Sequence, residues 1–244
     1  ALKSLIRRRD LRAIGQADAL ILCDDSRFEQ VRGSKPRRTA VIYNTPEDVL
    51  PPENFCSSPA GSLRLAYVGL VQVERMLFEV LEVLRAHPEW RLEMAGFGGD
   101  EQRVVAETAA MPNVTWLGRV SYERSLHINA VSDLMFALYD PAVPNHRYSS
   151  ANKIFEAMML AKPVLVAENT GMDRIVAAAQ SGLVLPYGDT AALESALRRL
   201  ADDPALRLRL GENARRAYEQ RYAWKVMETR LLDLYAALCS ETRR

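Results

Sequence analysis

The side chains best suited to chemistry in this sequence are a lysine, a glutamate and an arginine that accompany glycine-rich turns. Lys153 and Glu156 stand three residues apart, so on a helix they lie on one face. Arg75 adds a second cation near the start of an earlier helix. Gly69 and Gly96–Gly99 let the backbone approach a ligand and present N–H groups at helix starts, where anions bind. Two cations with exposed amides suit a diphosphate and a carboxylate suits the ribose diol, so the set predicts a nucleotide-diphosphate site.

Each of these signals also has a plainer interpretation. The glycines at 96–99 suit an ordinary turn between a strand and a helix, and no G-x-G-x-x-G pattern can be read there. Lys153 and Glu156 could form only an exposed pair within one helix. The Asp24-Asp25 pair is no D-x-D motif. The histidines are scattered without metal-ligand spacing, so no metal site is predicted: His87, His127 and His146.

Positioning such a site requires a repeated β–α fold, and the chain has that rhythm from about Leu63 onward. The apolar runs are short and continuous, as strands covered on both faces require: Leu63–Val68, Arg91–Ala95, Val114–Leu117, Leu134–Leu138, Val164–Ala167 and Leu183–Leu185. Helical spacing occupies Met76–Ala86, Ala191–Leu200, a segment from Asp203-Pro204 toward Tyr222, and Trp224–Leu238. This alternation predicts an α/β fold, a doubly wound parallel Rossmann-like sheet, with ligands on the loops after the strands.

The first sixty residues follow a different pattern and divide the chain. A helix end is predicted at Leu11–Ala17, a short helix at Phe28–Val31, and strands at Ala19–Cys23 and Thr39–Tyr43. Prolines and small polar residues after Asn44 predict a linker. We therefore divide the chain into a small α/β leading segment (1–45), a linker (46–62), the main α/β domain (63–222) and a final helix (223–244).

Charge and composition narrow the class of protein. Lys and Arg total 32 and Asp and Glu total 31, so the net charge is +1 and no nucleic-acid partner is predicted. Basic residues cluster at Arg7–Arg9 and Lys35–Arg38, which suits either a solvated surface or contact with an anionic membrane or lipid phosphate. The longest apolar stretches are core-strand length, well below the roughly 20 residues of a membrane span.

The cysteines and the chain start carry two further expectations. Cys23, Cys56 and Cys239 are far apart without pairing or metal spacing, which favours a reducing compartment. The chain opens inside a predicted helix and shows no signal peptide, so we expect a piece of a longer protein.

The stretch SSANKIFEAMMLAKPV, Ser149–Val164, resembles the donor-site helix of the retaining GT-B glycosyltransferases of family four, with their K-x-x-E-A-M-a-x-G-x-P-V pattern. Neighbouring motifs of that family agree in order and spacing over about Gln16–Leu238: Val68-Gly69, Leu92–Gly98, Val114–Val120, Thr170-Gly171, Gly182–Val184 and Tyr222–Trp224. The resemblance implies a donor-binding C-terminal domain, preceded by the remnant of an N-terminal acceptor domain onto which the final helix crosses back.

By this resemblance the chain would bind a nucleotide-sugar, a UDP-sugar being favoured. Arg75 and Lys153 would be the catalytic cations on the diphosphate, and Glu156 would hold the ribose hydroxyls. The other implied donor contacts are Gly69, Gly98, Arg119, Val120, Tyr148 and Asn152. In such enzymes cations and amides stabilise the leaving diphosphate in place of a metal, so no cofactor is implied, and the sugar is passed on with retention.

Three positions depart from the family pattern. Leu70 stands where an arginine usually follows the first-strand glycine, and Ala161 stands where the helix usually ends in glycine. Tyr148 replaces the first glutamate of the E-x7-E pair, which faces the donor sugar, so the identity of the sugar stays open.

The implied function is a glycosyltransferase donor domain in surface polysaccharide or glycolipid synthesis. It would be cytoplasmic, open to peripheral contact with the inner membrane face, and inactive without the missing domain that binds a sugar or lipid-linked acceptor. One alternative is a catalytically silent GT-B partner subunit, favoured by Leu70 and Tyr148. Another is a GT-B nucleotide-sugar epimerase, for which His146 is the only candidate histidine.

Overall fold

The structure is a computed structural model that describes residues 2–49 and 58–242. The central part of the predicted linker, with Cys56, lies outside the described residues. The leading segment contains α1 (Leu2–Gly15), β1 (Leu20–Leu22), a 3-10 turn (Asp25–Glu29) and β2 (Thr39–Val41). Strands β1 and β2 pair in parallel as a separate two-stranded sheet. The short helix predicted at Phe28–Val31 therefore forms earlier, because Asp24 caps it by accepting a hydrogen bond from the Ser26 N–H.

The main domain is built on a six-stranded parallel sheet. Its strands are β3 (Leu63–Leu70), β4 (Trp90–Phe97), β5 (Val114–Trp116), β6 (Leu134–Ala137), β7 (Val164–Ala167) and β8 (Gly182–Leu185). Their order is β5-β4-β3-β6-β7-β8. The chain winds outward from β3 to β5 and then returns to β6, beside β3. The topological switch point therefore lies between β3 and β6, where doubly wound sheets bind ligands. This architecture confirms the predicted fold class.

Helices cover both faces of this sheet. They are α2 (Leu77–Ala86), α3 (Glu101–Thr108), α4 (Tyr122–Val131), α5 (Asn152–Met159), α6 (Met172–Ala179), α7 (Thr190–Asp202) and α8 (Pro204–Ala217). The last helix, α9 (Trp224–Thr242), contacts β2 of the leading segment. Alternate residues of β3 face opposite layers: Leu65 and Tyr67 pack with the α2 and α7 side, and Ala66 packs with the α5 and α8 side. Two apolar cores thus sandwich the sheet and hold its strand ends in place.

Local capping explains where several helices begin. The Asp189 carboxylate accepts a hydrogen bond from the Ala192 N–H at 2.8 Å, and Asp203 accepts one from Leu206 N–H at the same distance. Pro204 follows Asp203 at the first helical position, where its missing N–H is harmless. The helix predicted to run toward Tyr222 instead ends at Ala217 and passes into a π-helical turn, Tyr218–Tyr222.

The leading segment packs against the main domain around one tyrosine. The Tyr43 ring lies 5.5 Å from Phe155 and 5.3 Å from Tyr222. Asp48 accepts two 2.7 Å hydrogen bonds from Arg215. These contacts bring the end of the leading segment and the start of the linker beside α5, α8 and the π-helical turn. Among the helices of the described residues, none has both the length and the apolar character needed to cross a bilayer.

Candidate functional site

The carboxyl ends of β3 and β4 come together so closely that side chains are excluded. Gly96 has φ +152°, and a Cβ there would overlap the Gly69 carbonyl. A Cβ at Gly98 would overlap Val71 in the same way. The Gly96 N–H also donates to the Gly118 carbonyl at 2.8 Å. The predicted glycines thus allow the two strand ends to approach closely. We call the backbone of Gly69, Gly96 and Gly98, beside the switch point, the floor of the site.

The ammonium group of Lys153 is buried at this floor. Its Nζ donates to the Val68 carbonyl at 2.7 Å and lies 3.6 Å from the centre of the Tyr67 ring. The residue is only 7% exposed. A Cβ at Gly69 would come within 3.1 Å of this Nζ, so glycine makes room for the lysine. Burial lowers the pKa of Lys153 to about 7. Because Lys153 is buried, the exposed-pair interpretation with Glu156 is wrong.

Arg75 supplies the second buried cation. It ends a 3-10 turn, Val73–Arg75, that is anchored where the Val73 N–H donates to Asp100 at 2.7 Å. The guanidinium lies over the Tyr139 ring, 3.6 Å from its centre. Within residues 2–49 and 58–242, its buried Nε and Nη1 have no hydrogen-bond partner. Buried charged donors without partners are costly, so this guanidinium is a candidate for binding an anion.

Glu156 lies one helical turn beyond Lys153 and is half-buried. The Asn129 amide lies 3.5 Å from one carboxylate oxygen. Burial raises the pKa of Glu156, and the nearby Lys153 charge opposes that shift. The same carboxylate adds to burial in raising the pKa of Tyr122 to about 12. Tyr122 and Asn129, both on α4, therefore border Glu156.

The amino end of α5 is left without a side-chain cap. Ala151 occupies the cap position and cannot accept a hydrogen bond from the helix. By contrast, Ser121 at α4 and Asp189 at α7 cap their helices with side-chain oxygens. The first N–H groups of a helix have no partner within it, and here they stay available to a ligand. The Asn152 side-chain oxygen accepts a 3.0 Å hydrogen bond from the Asn44 side-chain amide. This contact does not involve the backbone N–H of Asn152.

The predicted base-side residues lie on the neighbouring loops. The Arg119 guanidinium lies over the Phe97 ring, 4.2 Å from its centre, and both side chains are exposed. Val120 is half-buried against the α5-side core. Leu70, at the end of β3, is 43% exposed and brings no charge to the floor. The structure therefore brings Gly69, Arg75, Lys153 and Glu156 together and places Arg119 and Val120 along the adjoining strand ends.

Tyr148 lies apart from this group. It ends a 3-10 turn, His146–Tyr148, and lines a cavity of about 570 Å³ with Arg7, Glu29, Gln30 and Arg32 of the leading segment. Its role in donor binding stays a prediction.

Sequence reasoning did not identify the aromatic supports of the two cations. Tyr67 lies within a strand and Tyr139 directly after one, so both resemble ordinary core residues. Tyr139 also packs against His146, with ring centres 5.1 Å apart. The His146 Nδ1 lies 2.9 Å from the Asp140 carbonyl, and burial lowers the pKa of His146. The sequence signal that could have identified them is an aromatic residue near the carboxyl end of β3 and of β6, the two strands at the switch point.

The arrangement is chemically suited to an anion bearing a polar head. The two buried cations and the uncapped amides offer hydrogen-bond donors to such an anion, and the Glu156 carboxylate offers an acceptor. Glu156 can accept hydrogen bonds from hydroxyl groups about one helical turn away.

Known proteins resemble this chain over most of its length. Residues 58–217 match the family model for glycosyl transferases group 1. A glycogen synthase of Mycobacterium tuberculosis is 22% identical over 234 residues, 92% of this chain and 55% of that protein. The D-rhamnosyltransferase WbpZ of Pseudomonas aeruginosa is 30% identical over 159 residues, 63% of this chain and 40% of that protein. The chain thus spans about half the length of these curated relatives.

A solved structure shares the fold. The crystal structure of Anabaena HepE in complex with UDP-glucose superposes with a TM-score of 0.72 at 17% identity, covering 96% of this chain and 67% of that one.

Proposed function

This chain belongs to the group 1 glycosyltransferase family, and we propose that it is the nucleotide-sugar-binding half of a two-domain, retaining enzyme of GT-B family four. The observation that carries the proposal is the pair of buried cations, Arg75 and Lys153, at the topological switch point. Arg75 and Lys153 are buried close enough for the arginine charge to lower the pKa of the lysine, and two Arg75 nitrogens lack partners in the described chain, so a bound anion would stabilise both cations. A diphosphate is the anion of matching charge and reach.

We assign the diphosphate to Arg75, Lys153 and the uncapped start of α5. The Arg75 Nε and Nη1 supply two donors, and the Lys153 ammonium supplies a mobile third. The backbone N–H groups of Asn152 and Lys153 add the positive end of the helix dipole. The open backbone at Gly69 and Gly98 lets the phosphates approach the strand ends.

We assign the nucleoside to the carboxylate of Glu156 and the loop beyond β5. Glu156 would accept hydrogen bonds from both ribose hydroxyls, with the Asn129 amide orienting it. Arg119 and Val120 would border the base through backbone groups, next to the exposed Phe97 ring. UDP is the favoured carrier because the similar HepE binds UDP-glucose.

Such a site favours loss of the diphosphate as a leaving group. As the bond to the anomeric carbon breaks, negative charge grows on the phosphate oxygens, and the fixed cations and amides stabilise it without a metal ion. The acceptor hydroxyl, bound by a further domain, would take the sugar on the face that the diphosphate leaves, which retains the anomeric configuration. A relative named as a capsular polysaccharide biosynthesis glycosyltransferase, CapM of Staphylococcus aureus, supports a role in surface polysaccharide synthesis.

The proposal is tested by metal-free calorimetric titration of the chain with UDP, GDP, ADP and UDP-sugars. We expect saturable UDP binding, with the other bases weaker. Glu156→Ala should weaken UDP binding by roughly 1–3 kcal/mol, because a buried hydrogen-bond acceptor for ribose is lost. Glu168→Ala, an exposed carboxylate after β7, is the matched control and should bind normally. If Glu156→Ala binds UDP, GDP and ADP each as tightly as wild type does, Glu156 is not part of the site.

One alternative, a silent partner subunit, is favoured by Leu70, which leaves the end of β3 without the usual arginine. Donor hydrolysis separates the two. The longer enzyme should release UDP slowly from its UDP-sugar, and a silent subunit should bind the donor without releasing UDP.

A further inference from the structure

The cavity beside Tyr148 is separate from the buried cation pair and has its own positive charge. It measures about 570 Å³ and lies between the leading segment and the loop that precedes α5. Arg7 and Arg32 line it from the leading segment and Tyr148 from the main domain.

Local packing explains why two arginines far apart in sequence share this cavity. Arg7 and Leu11 stand four residues apart on α1 and so lie on one face. Leu11 packs over Gly33, whose φ of +98° makes a tight turn directly after Arg32. The turn is held by the Ser34 N–H and hydroxyl, which both donate to the Val31 carbonyl, at 3.0 and 2.8 Å. The contact between Leu11 and Gly33 therefore sets Arg7 beside Arg32.

Neither guanidinium has a hydrogen-bond or ion-pair partner within the part of the chain that the structure describes. Glu29 also lines the cavity but pairs with neither of them, and the Gln30 side chain is already bonded to Arg27 at 2.9 Å. Two free guanidinium groups against one carboxylate leave the cavity positive, the condition that favours phosphate or carboxylate ligands.

The cavity is lined on the main-domain side by Tyr148, in the loop that leads into α5. Tyr148 precedes Asn152, the first residue of α5, by four residues, and Ser149 and Ala151 between them are extended. The Ser150 hydroxyl donates to the Cys23 carbonyl at 3.0 Å, which holds the leading segment against this loop. A molecule in the cavity would therefore contact the loop that leads into α5, whose first residues we assign to the donor site.

We propose that Arg7, Arg32 and Tyr148 bind an anionic group, a phosphate or carboxylate, of the acceptor. The identification as acceptor rests on the proposed function, whereas anion binding itself does not. Tyr148 offers a neutral hydroxyl at this position, where a carboxylate would repel the anion.

The test uses the chain with glycerol 3-phosphate and glucuronate as soluble probes, at constant ionic strength. Binding is followed by the arginine Nε–H signals in NMR. We expect saturable shifts of the Arg7 and Arg32 signals and at least a tenfold loss of affinity in the Arg7→Gln/Arg32→Gln double variant. Tyr148→Glu should also lose affinity by repulsion. Arg9→Gln, exposed on the same helix and outside the cavity, is the matched control and should bind like wild type.

Shifts that do not saturate, or an equal loss in Arg9→Gln, would overturn the proposal. Flotation with phosphatidylcholine vesicles containing phosphatidic acid tests a lipid source of the phosphate. Vesicle binding lost in the double variant and kept in Arg9→Gln supports a lipid-linked phosphate, whereas equal loss in both indicates surface charge alone and contradicts the cavity.

UDP titration of the double variant separates the two proposals. It should bind UDP normally, since neither arginine lies among Arg75, Lys153 and Glu156, to which the donor is assigned. Saturable anion binding without UDP binding in wild type would leave the cavity intact and remove the donor assignment.

Discussion

Buried charged groups at the two ends of the main sheet differ in how completely their hydrogen bonds are satisfied. At the amino ends of the strands, Asp133 accepts hydrogen bonds from the backbone N–H groups of Ser58, at 2.9 Å, and Arg64, at 2.8 Å. Lys162 donates to the Ser132 carbonyl at 2.7 Å, and Arg207 donates to the carbonyls of Ser58, Leu200 and Ala201. At the carboxyl ends, Lys153 has one carbonyl partner, and two nitrogens of Arg75 have none in the described chain.

The difference separates charges that stabilise the fold from charges held for a ligand. A satisfied buried network stabilises one conformation, and removing a member leaves its partners unpaired. An unsatisfied cation lowers stability until a ligand arrives. Variants at the two ends should therefore differ in sign as well as in size.

The largest effect is expected at the amino end, from Asp133→Ala. It removes the carboxylate that accepts the backbone N–H groups of Ser58 and Arg64 and that lies near the buried Lys162 and Arg207, so the free energy of unfolding should fall by about 3–5 kcal/mol in urea titrations. Asp233→Ala, exposed on α9, should change it by less than about 0.5 kcal/mol. Burial acts to raise the pKa of Asp133, but hydrogen bonds from Ser58 and Arg64 outweigh it and the pKa is lowered. This contribution to stability is therefore present at neutral pH and lost as the pH falls through the acidic range.

The next effect compares the two buried lysines. Lys153→Met should weaken UDP binding by about 10–100-fold, because a charged hydrogen bond to phosphate is worth roughly 1.5–3 kcal/mol. Its free energy of unfolding should stay equal or rise, since removing a cation that burial and Arg75 disfavour outweighs the lost hydrogen bond to the Val68 carbonyl. Lys162→Met should bind UDP normally but lose about 1–3 kcal/mol of stability, because the Ser132 carbonyl loses its donor. Stability changes of the same sign in both variants would contradict the proposed difference between the two sheet ends.

A smaller effect concerns pH. Burial lowers the pKa of Lys153 to about 7, so above pH 7 the free protein holds this lysine largely neutral. A diphosphate favours the ammonium form, so UDP binding at pH 8 should take up a proton and weaken by up to about tenfold per pH unit. Calorimetry in two buffers of different ionisation enthalpy measures the uptake.

The same linkage has a counterpart without nucleotide. Between about pH 7 and 10.5 the unfolded chain binds more protons at this lysine than the folded one, so stability should rise with pH over that window. Lys153→Met should abolish both the proton uptake and this rise. Uptake that persists in the variant would assign it to another group.

The smallest effect is expected at Ala161, where α5 reaches the amino edge. This residue adopts the left-handed conformation, with φ +54°, which alanine disfavours by roughly 1–2 kcal/mol. Ala161→Gly should raise the free energy of unfolding by about 0.5–1 kcal/mol and leave UDP affinity unchanged. Ala236→Gly, in the interior of α9, should lose about 1 kcal/mol instead. A loss in both variants would show that the strain at Ala161 is absent.

The fold was predictable because its signals are local. Short apolar runs such as Val164–Ala167 became buried strands, and Asp189 and Asp203 cap their helices as their sequence positions indicate. The π-helical turn was not predictable. Its shape depends on the distant leading segment, since the Tyr218 hydroxyl donates to the Pro46 carbonyl and Tyr222 packs on Tyr43.

The residues of the candidate site were predictable from the sequence, but their burial and orientation were not. Lys153 and Glu156 were visible as neighbours on a helix, yet nothing local indicates that the lysine is buried. Its burial depends on Tyr67 and Gly69, 84 or more positions earlier, which meet it only through the crossover from β3 to β6. Likewise, the orientation of Arg75 depends on Tyr139, which the sequence presents as another apolar strand end.

The glycine pair at the ends of β3 and β4 also has an evolutionary consequence. Gly96 lies against the Gly69 carbonyl without room for a single methyl group, so every substitution at codon 96 must displace the backbone beneath the cations. Selection can diversify the surrounding loops and thereby the sugar or acceptor. Even the smallest substitution at Gly96 is excluded, so we expect homologues with different specificities to keep a glycine at this position.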